Sequence, residues 1–193
     1  EIAEYLGVEA GQANKKVARL LCAGGTGVAV HKADYYGMQS CAAAAAVSGG
    51  GKGCAWGCIG YADCAVVCDF DAIVMNDVAL PVVDVAKCTA CGDCVDACPL
   101  GLFTILPLDA HLLVQCKSLL QGDSATAVCS VACNACGRCA ADAPAVVRME
   151  KGLAVVDYEK LGEQTKKALE RCPTEAIVWV EGQQFPLPAL SAR

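Results

Sequence analysis

The chain has 193 residues, of which 16 are Cys, a formal net charge of -6 and only 5% aromatic side chains. That length holds one ordinary domain or two small ones, and so few large side chains leave a thin apolar core, so bound metal would have to supply part of the folding free energy. The acidic balance, with no basic stripe, argues against a nucleic-acid partner, and no apolar run reaches bilayer-crossing length, since Leu100 to Val114 is interrupted by Pro107, Asp109 and His111.

Residues 1–21 place Ile2, Leu6, Val17, Leu20 and Leu21 at helix-like spacing, with Gly7 and Gly11 as breaks, and so predict a short helical lead. Residues 1–52 carry five Lys/Arg against four acids, whereas residues 53–193 carry ten against seventeen. Lys15, Lys16 and Arg19 therefore form the one basic patch suited to an acidic partner. The opening at Glu1, without Met or a signal-like stretch, reads as a fragment, compatible with a membrane anchor upstream. The glycine-rich segments 22–27 and 48–53 lack the G-x-G-x-x-G order and the Ser/Thr that follows a phosphate-loop Lys, so they read as turns. Cys41 followed by Ala42 to Ala46 predicts a short, closely packed helix.

The cysteine pattern begins at Cys54 and continues through Cys58, Cys64 and Cys68. It becomes complete at Cys88-x2-Cys91-x2-Cys94-x3-Cys98-Pro99, which is the bacterial ferredoxin spacing. In that motif three thiolates hold one cluster on a tight loop, and the fourth Cys belongs to a second cluster. A disulfide scaffold has no reason for four closely spaced thiols on one loop, and a zinc ribbon needs only two separated C-x2-C pairs. The first stretch follows the same plan with Tyr61 where the second Cys should stand and Asp69 in place of Pro. The crossing rule then groups Cys68 with Cys88, Cys91 and Cys94, and Cys98 with Cys58 and Cys64, Cys54 being the obvious substitute for the missing ligand. Such clusters require reduced thiols, which points to a reducing, cytoplasmic setting.

At an offset of about 74 residues the pattern recurs. Cys129-x3-Cys133 repeats Cys54-x3-Cys58, Cys133-x2-Cys136-x2-Cys139 repeats the loop, and Cys172-Pro173 repeats Cys98-Pro99. In the second copy Ala143 replaces the fourth Cys, and Leu161, Gln164 and Lys167 occupy the other ligand positions of the same cluster. Residues 157–171 predict a helix in its place, capped by Asp157 with Leu161, Ala168 and Leu169 facing inward, and residues 176–180 predict a strand. The expectation is three [4Fe-4S] clusters, one of them held by Cys133, Cys136, Cys139 and Cys172. Cys22, Cys41, Cys116 and Cys129 are left over. Cys41 is an alternative to Cys54 at the first site, and for the others the plain reading is buried thiols and the sharper one a fourth cluster or a disulfide.

The fold expected is α+β: a helical, glycine-rich lead (1–53), a two-cluster ferredoxin-like repeat (54–110), a second repeat that has lost one cluster (111–185) and a tail (186–193). Read in order, the chain resembles the B subunit of the Rnf electron-transport complex. The matching stretches are Leu6 to Glu9, Tyr35 to Cys41, Cys54 to Gly60, Cys68 to Ile73, the full motif at 88–99, Cys129 to Cys133, and Cys172 to Thr174. The resemblance implies an upstream membrane helix and a further cluster domain, and a complex that moves electrons between reduced ferredoxin and NAD while transporting ions. It also implies a non-catalytic electron-transfer subunit, partnered by ferredoxin or another low-potential carrier and by other subunits, at the cytoplasmic face of the inner membrane. Two other classes compete with this reading: a wire feeding a different oxidoreductase, and a structural metal-binding module in which clusters or zinc are staples. Reducibility by a low-potential donor separates relay from staple. No nucleophile and base pair is legible, and His31 and His111 stand without partners in the sequence.

Overall fold

A computed structural model of the chain describes residues 15–187. Its elements are β1 (Lys16–Leu20), α1 (Cys41–Ala46), α2 (Asp63–Val66), β2 (Ile73–Met75), β3 (Pro81–Val83), α3 (Asp93–Asp96) and β4 (Phe103–Pro107). They are followed by β5 (Leu112–Val114), α4 (Gly122–Thr126), α5 (Arg138–Asp142), β6 (Val147–Glu150), β7 (Leu153–Val156), α6 (Lys167–Glu170) and β8 (Ile177–Trp179). Single 3-10 turns lie at Ser48–Gly51 and Leu161–Glu163.

The strands form four antiparallel pairs: β1 with β4, β2 with β3, β5 with β8, and β6 with β7. Each half of the chain is thus a hairpin enclosed by a pair formed from the half's first and last strands. Leu20 lies opposite Phe103, and Val114 opposite Ile177, so the closing strands of both halves bury the same kind of apolar face. The repeated sequence has folded as a repeated α+β unit. One consequence concerns the lead: residues 16–20 pair with 103–107, so a boundary at 53/54 runs through a sheet.

Two elements differ from the sequence expectation. Lys16–Leu20 is a strand rather than the end of a helix, and the helical expectation for residues 1–14 lies outside the described residues. The alternation typical of a half-exposed strand is missing because Val17 to Leu20 are all buried, both faces of the strand being covered. Residues 157–171 are two short turns, Leu161–Glu163 and Lys167–Glu170, rather than one helix. Asp157 does not cap a helix there; its carboxylate accepts from Glu159 N–H in a local turn. Ala168 is buried and Leu169 packs on the second core.

The two larger of three apolar cores among the described residues follow the two halves. Leu20, Ile73, Leu80, Val83, Leu102 and Phe103 gather around Cys22, Cys58, Cys64 and Cys94. Leu112, Val114, Val146, Val147, Val156 and Ile177 gather around Cys116, Cys129, Cys133 and Cys139. Thiols stand in both cores where a larger globular domain would place aromatic rings.

Candidate metal centres

The loops that carry the cysteines share one backbone form. In Cys88–Cys94, Ala90 has φ 59° and Gly92 φ 103°; in Cys133–Cys139, Ala135 has φ 65° and Gly137 φ 70°; in Cys58–Cys64, Gly60 has φ 91° and Ala62 φ 66°. Ala62, Gly92 and Gly137 each sit in the left-handed region at the start of the four- or five-residue helices α2, α3 and α5. Each helix then carries a buried Cys at its second position: Cys64, Cys94 and Cys139. A left-handed residue before each helix reverses the chain so that thiols before and after it converge. Gly92 and Gly137 are favoured for that φ, which Ala62 adopts in the first loop, and not for space, since a Cβ at either would meet nothing within 4 Å.

Four cavities result, each ringed by four cysteines. The first is lined by Cys41, Cys58, Cys64 and Cys98 together with Leu20, Leu102 and Phe103. Cys68, Cys88, Cys91 and Cys94 line the second. The third is lined by Cys133, Cys136, Cys139 and Cys172, and the fourth by Cys22, Cys54, Cys116 and Cys129. Their empty space is similar, about 330 Å³ for three and about 300 Å³ for the fourth, part of it open to solvent. The electrostatic neighbourhoods give the same grouping: Cys41 and Cys98 act on Cys64, Cys88, Cys91 and Cys68 on Cys94, and Cys133, Cys172 and Cys136 on Cys139.

The second and third quartets are the groups that the spacing predicts. At the first site Cys58, Cys64 and Cys98 also lie together, but Cys54 does not join them; it lines the fourth cavity, and Cys41 takes its place. The physical reason is at Tyr61. The backbone there follows that of the Cys88 and Cys133 loops but offers no thiol, so the fourth sulfur comes from the N-terminus of α1. Asp63 holds that helix in place, its carboxylate accepting from the Ser40 hydroxyl at 3.2 Å and from Ala42 N–H at 3.0 Å. Ser40 itself caps α1, accepting from Ala43 N–H at 3.3 Å. The sequence signal for Cys41 was the vacancy at Tyr61 together with the Ser40-Cys41 helix start.

Each quartet can supply the four thiolates that a [4Fe-4S] cluster takes. Burial, reinforced by the neighbouring sulfurs, pushes Cys64 and Cys94 up to about 12 and Cys116 and Cys139 up to about 11, and raises Cys54, Cys58 and Cys129. Four thiols so placed cannot all ionise unless a multivalent cationic centre takes their charge. Among the described residues no three His, Cys, Asp or Glu close in on a single metal ion, whereas the quartets surround a wider space. Backbone donors also point at the sulfurs: Ala18 N–H reaches Cys88 Sγ at 3.5 Å and Leu102 N–H reaches Cys98 Sγ at 3.4 Å. N–H bonds to ligating sulfur are a recognised means of tuning a cluster.

Charge is distributed unevenly around the sites. Lys52 is buried, and its Nζ donates to Gly24 O at 2.5 Å and to Cys58 O. Arg19, expected on a docking surface, is fully buried; Nη1 donates to Gly182 O at 2.6 Å, while Nε and Nη2 have no partner. Burial lowers its pKa. Lys15 and Lys16 remain at the surface.

Comparison with known proteins finds two 4Fe-4S domains. Residues 56–102 match a 4Fe-4S dicluster domain, and residues 128–179 match the 4Fe-4S single cluster domain of ferredoxin I. The chain is 34% identical over 178 residues to the B subunit of the ion-translocating oxidoreductase complex of Methanosarcina acetivorans, covering 92% of this chain and 67% of that protein. It belongs to the Rnf B-subunit family. Within that family it is 42% identical over 180 residues to the B subunit of the Na(+)-translocating ferredoxin:NAD(+) oxidoreductase complex of Acetobacterium woodii, covering 91% of this chain and 53% of that protein. It is 36% identical over 179 residues to the B subunit of the proton-translocating ferredoxin:NAD(+) oxidoreductase complex of Clostridium ljungdahlii, covering 92% and 63%. The chain therefore spans roughly half to two thirds of the length of these Rnf proteins.

Proposed function

We propose that this chain is an electron relay within an Rnf-type oxidoreductase complex, taking electrons from a reduced ferredoxin or similar low-potential carrier and passing them to partner subunits. Three [4Fe-4S] sites carry the relay: Cys41, Cys58, Cys64 and Cys98; Cys68, Cys88, Cys91 and Cys94; and Cys133, Cys136, Cys139 and Cys172. When loaded, such sites exchange single electrons without making or breaking a bond in the polypeptide. Cys64 and Cys68, one helical turn apart, face different cavities, as do Cys94 and Cys98, and this double crossing is the observation that carries the reading. It welds the first two sites into one rigid unit, with Cys94 acting electrostatically on Cys64.

The residues around the sulfurs exclude water and fix potentials. Leu20, Leu102 and Phe103 wall the first cavity, so charge on it is poorly screened by solvent. Cys91 and Cys136 are the exposed ligands, and they mark the sides of the second and third sites that an external carrier can approach. Lys15 and Lys16, without Arg19, remain as the basic residues for docking an acidic carrier. No helix of the described residues is long and apolar enough to cross a membrane. Contact with the cytoplasmic face of a membrane would run through partner subunits or through parts of the protein outside these 193 residues.

The experiment is iron and sulfide analysis with low-temperature electron paramagnetic resonance on anaerobically prepared protein, before and after reduction by a low-potential donor. About twelve or more iron atoms per chain and reducible cluster signals are expected. Clusters that stay oxidised against the donor would make the chain a structural module instead.

A further inference from the structure

We infer that Cys22, Cys54, Cys116 and Cys129 hold a fourth [4Fe-4S] cluster, placed between the first and third sites so that it joins the two halves of the chain. The inference rests on the electron-relay reading for the kind of cofactor, but its location comes from these four residues alone.

All four thiols are buried, with exposures of 6 to 9%, and they come from four separate segments. Cys22 follows β1, Cys54 follows the glycine-rich turn, Cys116 follows β5 and Cys129 follows α4. Backbone bonds clamp these segments together: Ala23 N–H to Gln115 O at 3.2 Å, Val30 N–H to Val128 O at 2.9 Å and Ser130 N–H to Val28 O at 3.2 Å. Sulfurs of this quartet accept N–H bonds as those of the other sites do, Cys22 Sγ from Cys58 N–H at 3.3 Å and Cys116 Sγ from Ser118 N–H at 3.4 Å. Gly24 lines the cavity, and a Cβ there would lie 3.1 Å from Cys129 Sγ and 3.7 Å from Cys22 Sγ. The absent side chain leaves that space to the sulfurs.

Spacing supplies an independent argument. The described chain has four Cys-x3-Cys pairs: 54/58, 64/68, 94/98 and 129/133. Every one divides between two cavities, while the Cys-x2-Cys steps at 88/91/94 and 133/136/139 stay within one. Cys54 and Cys58 therefore connect the fourth site to the first as 64/68 connects the first to the second, and Cys129 and Cys133 connect it to the third. Electrostatics follow the same route, Cys22 acting on Cys58 and Cys133 acting on Cys116. The order of sites in space is second, first, fourth, third. Without the fourth, no ligand turn connects the halves.

The test is native mass spectrometry and iron analysis of the anaerobic wild-type chain beside C22S/C116S, neither residue belonging to the other three sites. The wild type is expected to hold about sixteen iron atoms and the variant about twelve, with the reducible signals of the other sites retained. If the wild type holds about twelve iron with those signals intact, the fourth site is overturned and the relay reading stands; if it binds no clusters, the relay reading fails as well. Should the variant not fold, alkylation of the wild type decides. Protection of Cys22, Cys54, Cys116 and Cys129 until iron is chelated, followed by alkylation of all four, supports the site. Disulfides among them, or one zinc atom in place of the iron, overturn it.

Discussion

The Cys58–Cys64 loop and the Cys88–Cys94 loop have the same backbone and different chemistry. Both place left-handed residues before a short helix that bears a buried Cys, and both feed one Cys across to the neighbouring site. The second loop itself carries three of the cysteines that line its cavity, Cys91 being exposed. The first substitutes Tyr61, turns that side chain toward Tyr35 with ring centroids 5.7 Å apart, and has Cys41 of α1 lining its cavity beside its own cysteines. The difference teaches that the loop conformation and the ligand set are separable: the turn is set by backbone dihedrals, and the thiol can come from elsewhere.

The sharpest way to break this comparison is at the borrowed ligand. C41A should disrupt the first cluster, costing up to about four iron atoms per chain and its paramagnetic signal, whereas Y61C/C41A should restore both because the backbone at 61 already has the form found at Cys91. An unchanged first-site signal in C41A would return Cys54 to that site. Next in size is Asp63, the clamp between α1 and the loop. D63A removes a charge-assisted acceptor from two donors, worth about 1–2 kcal/mol, so iron should leave the first site about 5–30-fold faster under a chelator while the second site is unaffected. The smallest effect concerns potential. Lys52 is a buried cation acting on Cys54, Cys58 and Cys129, whereas no cation figures among the principal charges on Cys94 or Cys139. K52M should lower the midpoint potential of the first site, and of the fourth site where it is loaded, by roughly 40–80 mV, about 1–2 kcal/mol per electron, and leave the second and third sites in place. A redox titration followed by paramagnetic resonance checks this, and an unshifted first site would show that the lysine is only a packing group.

How far the sequence could be read depended on how local each ligand set is. The quartets built on Cys88–Cys94 and Cys133–Cys139 were legible because three of their four sulfurs sit within seven residues and the crossing rule supplies the fourth. Cys41 was not selected over Cys54, because its position depends on Asp63 accepting from α1, a contact 21 residues apart. The three-cluster count rested on Ala143, Leu161, Gln164 and Lys167 standing at ligand positions of the second repeat. It did not weigh the cavity lined by Cys22, Cys54, Cys116 and Cys129. The Cys-x3-Cys rule that located the crossing at 64/68 applies equally to 54/58 and 129/133, and that was the signal available for the partners of Cys22 and Cys116. β1 was misread as helix because burial on both faces erased its alternation, and Arg19 was read as surface because charge alone does not reveal a covered strand.

The outer side of β1 has a further consequence for assembly. Three of its backbone groups that do not face β4 meet two unlike partners: Ala18 N–H meets the sulfur of Cys88, and Leu20 meets the Gln184 amide, which accepts from the N–H at 3.1 Å and donates to the carbonyl at 2.6 Å. A naked strand margin is a template on which other chains can polymerise. Here part of the stopper is the Gln184 side chain, 164 residues further along the chain, and part is the Cys88 sulfur, so the margin of β1 is closed only when distant parts of the chain have folded against it.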